Sequence, residues 1–163
     1  MRTGIKHLQR APHRRLGRLR DSKGATLVEA AIITPLLLLL TFAVVDFAAL
    51  FYVYLALQNG VSQATRFAVT GNLMPGLSRE DSIRTAMRQS TPTLTLDDNA
   101  FVFNHLSPGA GAWAGGTGAP NDVEKVTVDY TWQIMTPLLR PFFPNGRVDF
   151  RVESSMKNEG RFE

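Results

Sequence analysis

The sequence predicts an α+β protein in which a long N-terminal membrane-spanning helix continues into a small domain with an antiparallel sheet. Three patterns support this fold class: a long apolar run near the N-terminus, helical spacing of the apolar residues that follow it, and alternation of apolar and polar residues in the C-terminal half. The first two patterns are typical of a helix, and the third is typical of strands with one covered face.

Residues 1–24 form a basic leader. It contains eight Lys or Arg residues against Asp21 alone, a net charge of +7, whereas residues 25–163 carry a net charge of −3. The overall charge of +4 therefore comes from the leader, and nucleic acid is not an expected partner. Because positive segments beside a membrane span stay in the cytoplasm, the C-terminal part is predicted to lie on the outer side.

The apolar run from residue 30 to residue 57 contains 28 residues and one charged side chain, that of Asp46. As a helix it would extend about 42 Å, which exceeds the roughly 30 Å of a bilayer's hydrocarbon core. It is also longer than the h-region of a cleaved secretory signal, roughly 7–15 residues. We therefore predict a transmembrane helix in contact with lipid over residues 25–57 and an extracytoplasmic α+β domain over residues 58–163.

The membrane helix is predicted to continue into the outer domain and to cover its sheet. Four apolar residues at spacings of four, three and four make one helical stripe: Leu57, Val61, Ala64 and Ala68. Residues 70–76 should end this helix, and a short second helix should begin at Ser78. The predicted strands place these residues on the covered face: Val126, Val128, Tyr130, Trp132 and Ile134, and then Val148, Phe150 and Val152. Leu94 and Leu96 also alternate with threonines, and residues 101–103 are predicted as a further short strand.

Two connections carry large apolar side chains. Residues 107–120 are glycine-rich and are predicted to form a surface loop, with Trp113 as its one large side chain. Residues 136–146 contain three prolines and should be a rigid connection. Its apolar residues either pack beneath the sheet, which we favour, or form a contact patch: Leu138, Leu139, Phe142 and Phe143.

The residues needed for a catalytic or metal site are scarce. The chain has no cysteine, and two of its three histidines, His7 and His13, lie in the leader. A mature chain without the leader would keep His105 alone, which excludes a multi-histidine metal site and leaves a serine–histidine–acid triad without support. We therefore predict a protein that is not an enzyme and that uses no metal or other cofactor.

The leader ends at a glycine, and the apolar run opens with a glutamate. A cut after Gly24 would make Ala25 the first residue and Glu29 the fifth, which resembles the class III signal of type IV prepilins. The stretch GATLVEAAIITPLLLLLTFAVVDFAALF more narrowly resembles the TadE-like pseudopilins of tight-adherence (Tad/Flp) pilus systems. Six residues fit that pattern: Gly24, Ala25, Val28, Glu29, Pro35 and Asp46. Ala30 departs from it, since many pilins have an aromatic residue there, and the C-terminal SSMKNEGRFE resembles the family's closing stretch faintly.

The resemblance implies a minor pilin or pseudopilin that is cut after Gly24 by a prepilin peptidase. It implies a single-pass protein of the bacterial inner membrane with a cytoplasmic N-terminus and a periplasmic C-terminus. Its partners would be other pilins or pseudopilins and the pilus assembly platform, in a system of adhesion or secretion. Subunit assembly is assigned to Glu29, Pro35 and Asp46. For Asp46, the sequence leaves open whether it lies near the outer headgroups or faces another subunit.

A second hypothesis remains open. The chain would then be an uncleaved signal-anchored membrane protein whose outer domain scaffolds an envelope or secretion complex. Under that hypothesis Glu29 would lie at the membrane interface with its carboxylate among the headgroups.

Overall fold

The computed structural model describes residues 22–160 of the 163-residue chain, and their side chains from residue 24 onward. The charged side chains predicted to form the basic leader, and the last three residues of the C-terminal resemblance, lie outside the described residues. The chain divides into two units, residues 1–36 and residues 37–163.

Helix α1 (Ser22–Val69) contains the whole apolar run and passes the predicted membrane boundary at residue 57 without interruption. In the first unit its side chains from residue 24 to residue 36 are all exposed. Pro35 lies within the helix and contributes no backbone N–H to its hydrogen bonds. Between residues 22 and 160, α1 is the one helix long and apolar enough to cross a membrane, judged by length and composition. It indicates a membrane-anchored, single-pass protein.

The second unit contains the outer part of α1, a short helix and a four-stranded sheet. These elements are α2 (Arg79–Ser90), β1 (Phe101–Leu106), β2 (Ala114–Gly115), β3 (Val123–Gln133) and β4 (Arg147–Lys157). Single 3-10 turns span Asp98–Ala100, Arg140–Phe142 and Pro144–Gly146. The strand order is β2-β1-β3-β4 and every neighbouring pair is antiparallel, so the predicted α+β class is confirmed.

Helix α2 begins where the sequence predicted it. The hydroxyl oxygen of Ser78 accepts a hydrogen bond from the backbone N–H of Asp81 at 3.1 Å, which satisfies one of the free N–H groups of the first turn. At the other end, the backbone N–H of Thr91 donates to the carbonyl oxygens of Met87 and Arg88. Pro92 follows and cannot continue the helical hydrogen bonds.

The core lies between the α1 stripe and one face of the sheet. Leu57, Val61 and Ala64 are fully buried, and so are Val126 and Val128 of β3. Helix α2 adds Ile83 and Met87 to the same cluster. The predicted arrangement, in which the continued helix covers the sheet, is therefore confirmed. Its physical reason is that the apolar faces of the helix and of the strands are removed from water by packing against each other.

The structure differs from the sequence predictions in the connections. Leu94 and Leu96 are buried, but their segment, whose alternation indicated a strand, is irregular and forms none. The glycine-rich loop contains β2, where Gly115 pairs with Asn104 of β1. The apolar residues of the proline-rich connection are partly buried and partly exposed: Leu139 is buried, whereas Leu138 and Phe142 are exposed.

Candidate functional site

The predicted cleavage and assembly residues lie on the exposed start of α1. Gly24 has open space around it, because a Cβ added there would meet no atom within 4 Å. Ala25 and Glu29 are exposed and lie four residues apart, on the same side of adjacent helical turns. Helical side chains lean toward the N-terminus of their helix, so the Glu29 carboxylate extends toward the turn that begins at Ala25.

Pro35 is exposed on a different side of the same helix. It follows Glu29 by six residues, which corresponds to a rotation of about 240° around the axis at 3.6 residues per turn. The two residues therefore do not form one compact patch. Their assigned roles in subunit assembly stay predictions.

Asp46 is held by its own chain. The residue is only 4 % exposed, although it belongs to the apolar run. One carboxylate oxygen accepts the backbone N–H of Met135 at 3.1 Å, and the other accepts that of Thr136 at 3.1 Å. Two backbone donors thus compensate for much of the solvation that the charge loses. This intrachain contact is a third arrangement, which the sequence did not indicate, and the assembly role of Asp46 stays a prediction.

The surroundings of Asp46 are apolar and closely packed. Asp46 and five neighbouring side chains line a cavity of only about 30 Å³: Phe47, Leu50, Ile134, Leu139 and Phe143. Small-molecule sites typically occupy about 300–1,000 Å³, so this cavity is a packing gap and not a ligand site.

A second buried carboxylate, that of Glu124, lies at the start of β3 and was not singled out from the sequence. It accepts the backbone N–H of Gly118 at 2.8 Å, and the Arg79 guanidinium lies 3.7 Å away. Arg79 also donates hydrogen bonds to the carbonyl oxygens of Ala68 at the end of α1 and of Gly118. The pair therefore joins α1, α2 and the loop before β3.

Burial has the largest influence on the protonation of this pair. Loss of water raises the pKa of Glu124, and the Gly118 N–H and the Arg79 charge offset that rise only in part. Burial likewise lowers the pKa of Arg79 against the attraction of Glu124 and Asp122. The charged groups of Glu124 and Arg79 lie 3.7 Å apart, which is longer than a direct charge-assisted hydrogen bond.

A signal for Glu124 was present in the sequence. It precedes Val126 by two residues, which places it on the covered face of β3. A charged residue at such a position requires partners. Those partners come from other elements and were not visible in the local pattern.

The described residues show no metal-binding cluster. No group of three or more His, Cys, Asp or Glu side chains within residues 22–160 is arranged to hold a metal ion. His105 lies on β1, with its Nδ1 atom 3.0 Å from the carbonyl oxygen of Gly116. The absence of enzymatic activity stays a prediction.

Comparison with known proteins identifies the N-terminal segment. The family model described as TadE-like protein matches residues 24–66. The match begins at Gly24 and includes Glu29, Pro35 and Asp46, so the resemblance inferred from the sequence is confirmed over this segment. No curated protein and no solved structure matches the chain.

Proposed function

Residues 24–66 are a TadE-like domain, which indicates a Tad pilus-related membrane protein, and from this premise we propose that the chain is a minor pilin or pseudopilin. A prepilin peptidase of the bacterial inner membrane cuts it after Gly24. The cut chain then associates through α1 with other pilins or pseudopilins and with the pilus assembly platform, with its sheet domain on the periplasmic side.

The observation that carries this proposal is the exposed Gly24–Glu29 turn at the start of the family match. A peptidase needs access to the bond that it cuts, and open space surrounds Gly24. Cleavage would remove the +7 leader and leave a protonated amine on Ala25. The Glu29 carboxylate can neutralise that amine, on its own chain or on a neighbouring one, because an unpaired charge in or beside a membrane span is costly.

The exposed apolar surface of α1 supports lateral association. In the first unit, Leu27, Ile32 and Leu36 are each more than two-thirds exposed. In the second unit, Leu40, Phe51 and Leu55 are also largely exposed. Lipid covers such a surface in the membrane, and the helices of neighbouring subunits can replace lipid there through close packing.

The deciding experiment determines the N-terminus of the membrane-associated chain by intact mass. We expect a start at Ala25 when the native prepilin peptidase is present and a retained leader when it is deleted. The change Gly24→Leu should block the cut, whereas Gly17→Leu, within the leader, should leave it intact. A leader retained in both strains would refute the proposal and favour an uncleaved signal-anchored scaffold protein.

A second measurement separates cleavage from assembly. The change Glu29→Gln removes the charge but keeps the size of the side chain, so we expect normal cleavage with little or no recovery in sheared pili or in complexes with other pilins. Glu153→Gln, at an exposed position of β4, is the matched control and should behave as the wild type. Normal assembly of the Glu29 variant would remove the role assigned to this carboxylate.

A further inference from the structure

The connection between β3 and β4, here named the proline loop (residues 134–146), lies against the apolar part of α1. Its backbone is attached there by the hydrogen bonds of Met135 and Thr136 to Asp46. Pro137, Pro141 and Pro144 restrict its backbone. The loop is therefore held at a defined position on the helix.

The apolar side chains of the proline loop are divided between two sides. Ile134 and Leu139 point inward and are almost completely buried. Met135, Leu138 and Phe142 are 59 %, 51 % and 71 % exposed. Burying apolar area stabilises by about 25 cal/mol for each Å². Three such exposed side chains on one short loop therefore favour contact with an apolar surface outside the chain.

The exposed side of the proline loop is continuous with the apolar surface of α1. Met135 and Leu138 line a groove whose other wall is formed by Phe42 and Val45, which are themselves exposed. Asp46 is the first charge after the uncharged residues 30–45. The loop therefore contacts α1 at Asp46, the residue that ends this uncharged stretch.

Cationic side chains accompany this apolar surface. Arg140 lies in the loop, exposed, with its Nε–H donating to the carbonyl oxygen of Ile134 at 3.0 Å. Arg147 follows the loop and is also exposed. Apolar side chains with neighbouring arginines are typical of segments that lie in the interface between lipid headgroups and acyl chains.

We propose that the proline loop is a second membrane contact, in which Met135, Leu138 and Phe142 enter the outer leaflet of the bilayer that α1 crosses. Arg140 and Arg147 then face lipid phosphates. The contact holds the sheet domain at a fixed height on the membrane, because the loop is joined both to β3 and β4 and to Asp46. The inference requires that α1 crosses a bilayer, and it is independent of cleavage and of incorporation into a pilus.

Fluorescence quenching in proteoliposomes tests the proposal. Because the chain has no cysteine, Phe142→Cys in the full chain can carry a single environment-sensitive probe. The vesicles contain phosphatidylcholine, phosphatidylglycerol and a lipid with a nitroxide near the top of its acyl chain. Leu73→Cys is the matched control, since Leu73 is 63 % exposed and lies beyond the end of α1.

We expect a blue-shifted probe at position 142 that is quenched several-fold more strongly than the probe at position 73. Leu138→Cys should reproduce this result at a second position of the same loop. Equal quenching at all three positions would overturn the proposal. A blue shift of the probe that arises only at high protein density, without quenching by the nitroxide lipid, would also overturn the proposal. It would indicate that the loop contacts another protein.

Discussion

Asp46 and Glu124 are buried carboxylates near opposite ends of β3, and each joins separate parts of the second unit. Asp46 connects the apolar helix to the chain that leaves β3. Glu124, with Arg79, connects the start of β3 to α2 and to the end of α1. Removing one partner from a buried charged contact is costly, because the other partner is left without its compensating group.

We expect Asp46→Ala to lower the free energy of unfolding by about 2–4 kcal/mol, because two backbone N–H groups lose a charged acceptor. The measurement is chemical unfolding of the detergent-solubilised chain, followed by the fluorescence of its two tryptophans, Trp113 and Trp132. Glu29→Gln is the control and should leave the unfolding midpoint unchanged, since Glu29 is exposed. Equal midpoints for the wild type and Asp46→Ala would contradict the structural role of Asp46.

Glu124 gives a pH-dependent prediction. Since burial raises its pKa in the folded chain, the folded state binds this proton more tightly than the unfolded state. The stabilisation from protonation of Glu124 is complete below the pKa that this group has in the unfolded chain. It is lost as the pH rises through the pKa that the group has in the folded chain. The melting temperature of the wild type, minus that of Glu124→Gln, should therefore fall as the pH rises from about 4 to about 7.

The control for that experiment removes a neighbouring ionisable side chain. His105 lowers the pKa of Glu124 by charge interaction. Both chains are therefore compared again with His105→Gln. A difference in melting temperature that is constant with pH, or that grows as the pH rises, would contradict the assignment.

At the scale of the elements, α1 combines two kinds of helix in one. Its first part is exposed and apolar on all sides, as expected for a helix surrounded by lipid or by other helices. Its last part buries one stripe against the sheet and exposes Gln63 and Arg66 elsewhere. A single element therefore provides both the membrane anchor and one layer of the outer domain.

The packing of α1 against the end of α2 depends on Gly60. A Cβ at this position would lie 2.4 Å from Cγ2 of Thr91 and 3.3 Å from Cε of Met87, both of which are buried residues. In an open helix, Gly→Ala would stabilise by roughly 1 kcal/mol. Overpacking costs about 1–3 kcal/mol, so we expect Gly60→Ala to destabilise the fold in a thermal melt. Gly24→Ala, where the added Cβ meets nothing, should not do so.

At the scale of the whole molecule, the charge distribution predicts its orientation. The +7 leader should stay in the cytoplasm, and the residues after α1 should be on the outer side. In spheroplasts of a strain without the prepilin peptidase, where the leader should be retained, a membrane-impermeant maleimide should label Leu73→Cys, whereas Thr3→Cys should react only after the membrane is permeabilised. Labelling of Thr3→Cys in sealed spheroplasts, with Leu73→Cys protected, would reverse the proposed topology.

The sequence by itself determined the main elements and the family-matched segment, but not β2 or the irregular segment around Leu94 and Leu96. The spacing of apolar residues along the chain predicts the membrane helix, its amphipathic continuation, α2, β3 and β4. Such spacing is a local property of the sequence. The Gly24–Glu29 motif is equally local, because the proposed peptidase site is a short linear stretch. These features were therefore accessible before any fold was known.

Tertiary structure alone decided what the buried and exposed groups contact. Asp46 meets donors 89 and 90 residues further along the chain, and Glu124 meets an arginine from another helix. Leu139 and Phe142 have similar apolar character, yet one is buried and the other faces outward. The physical reason is that burial and hydrogen bonding of a side chain depend on which distant segments pack around it, and local periodicity contains no information about those segments.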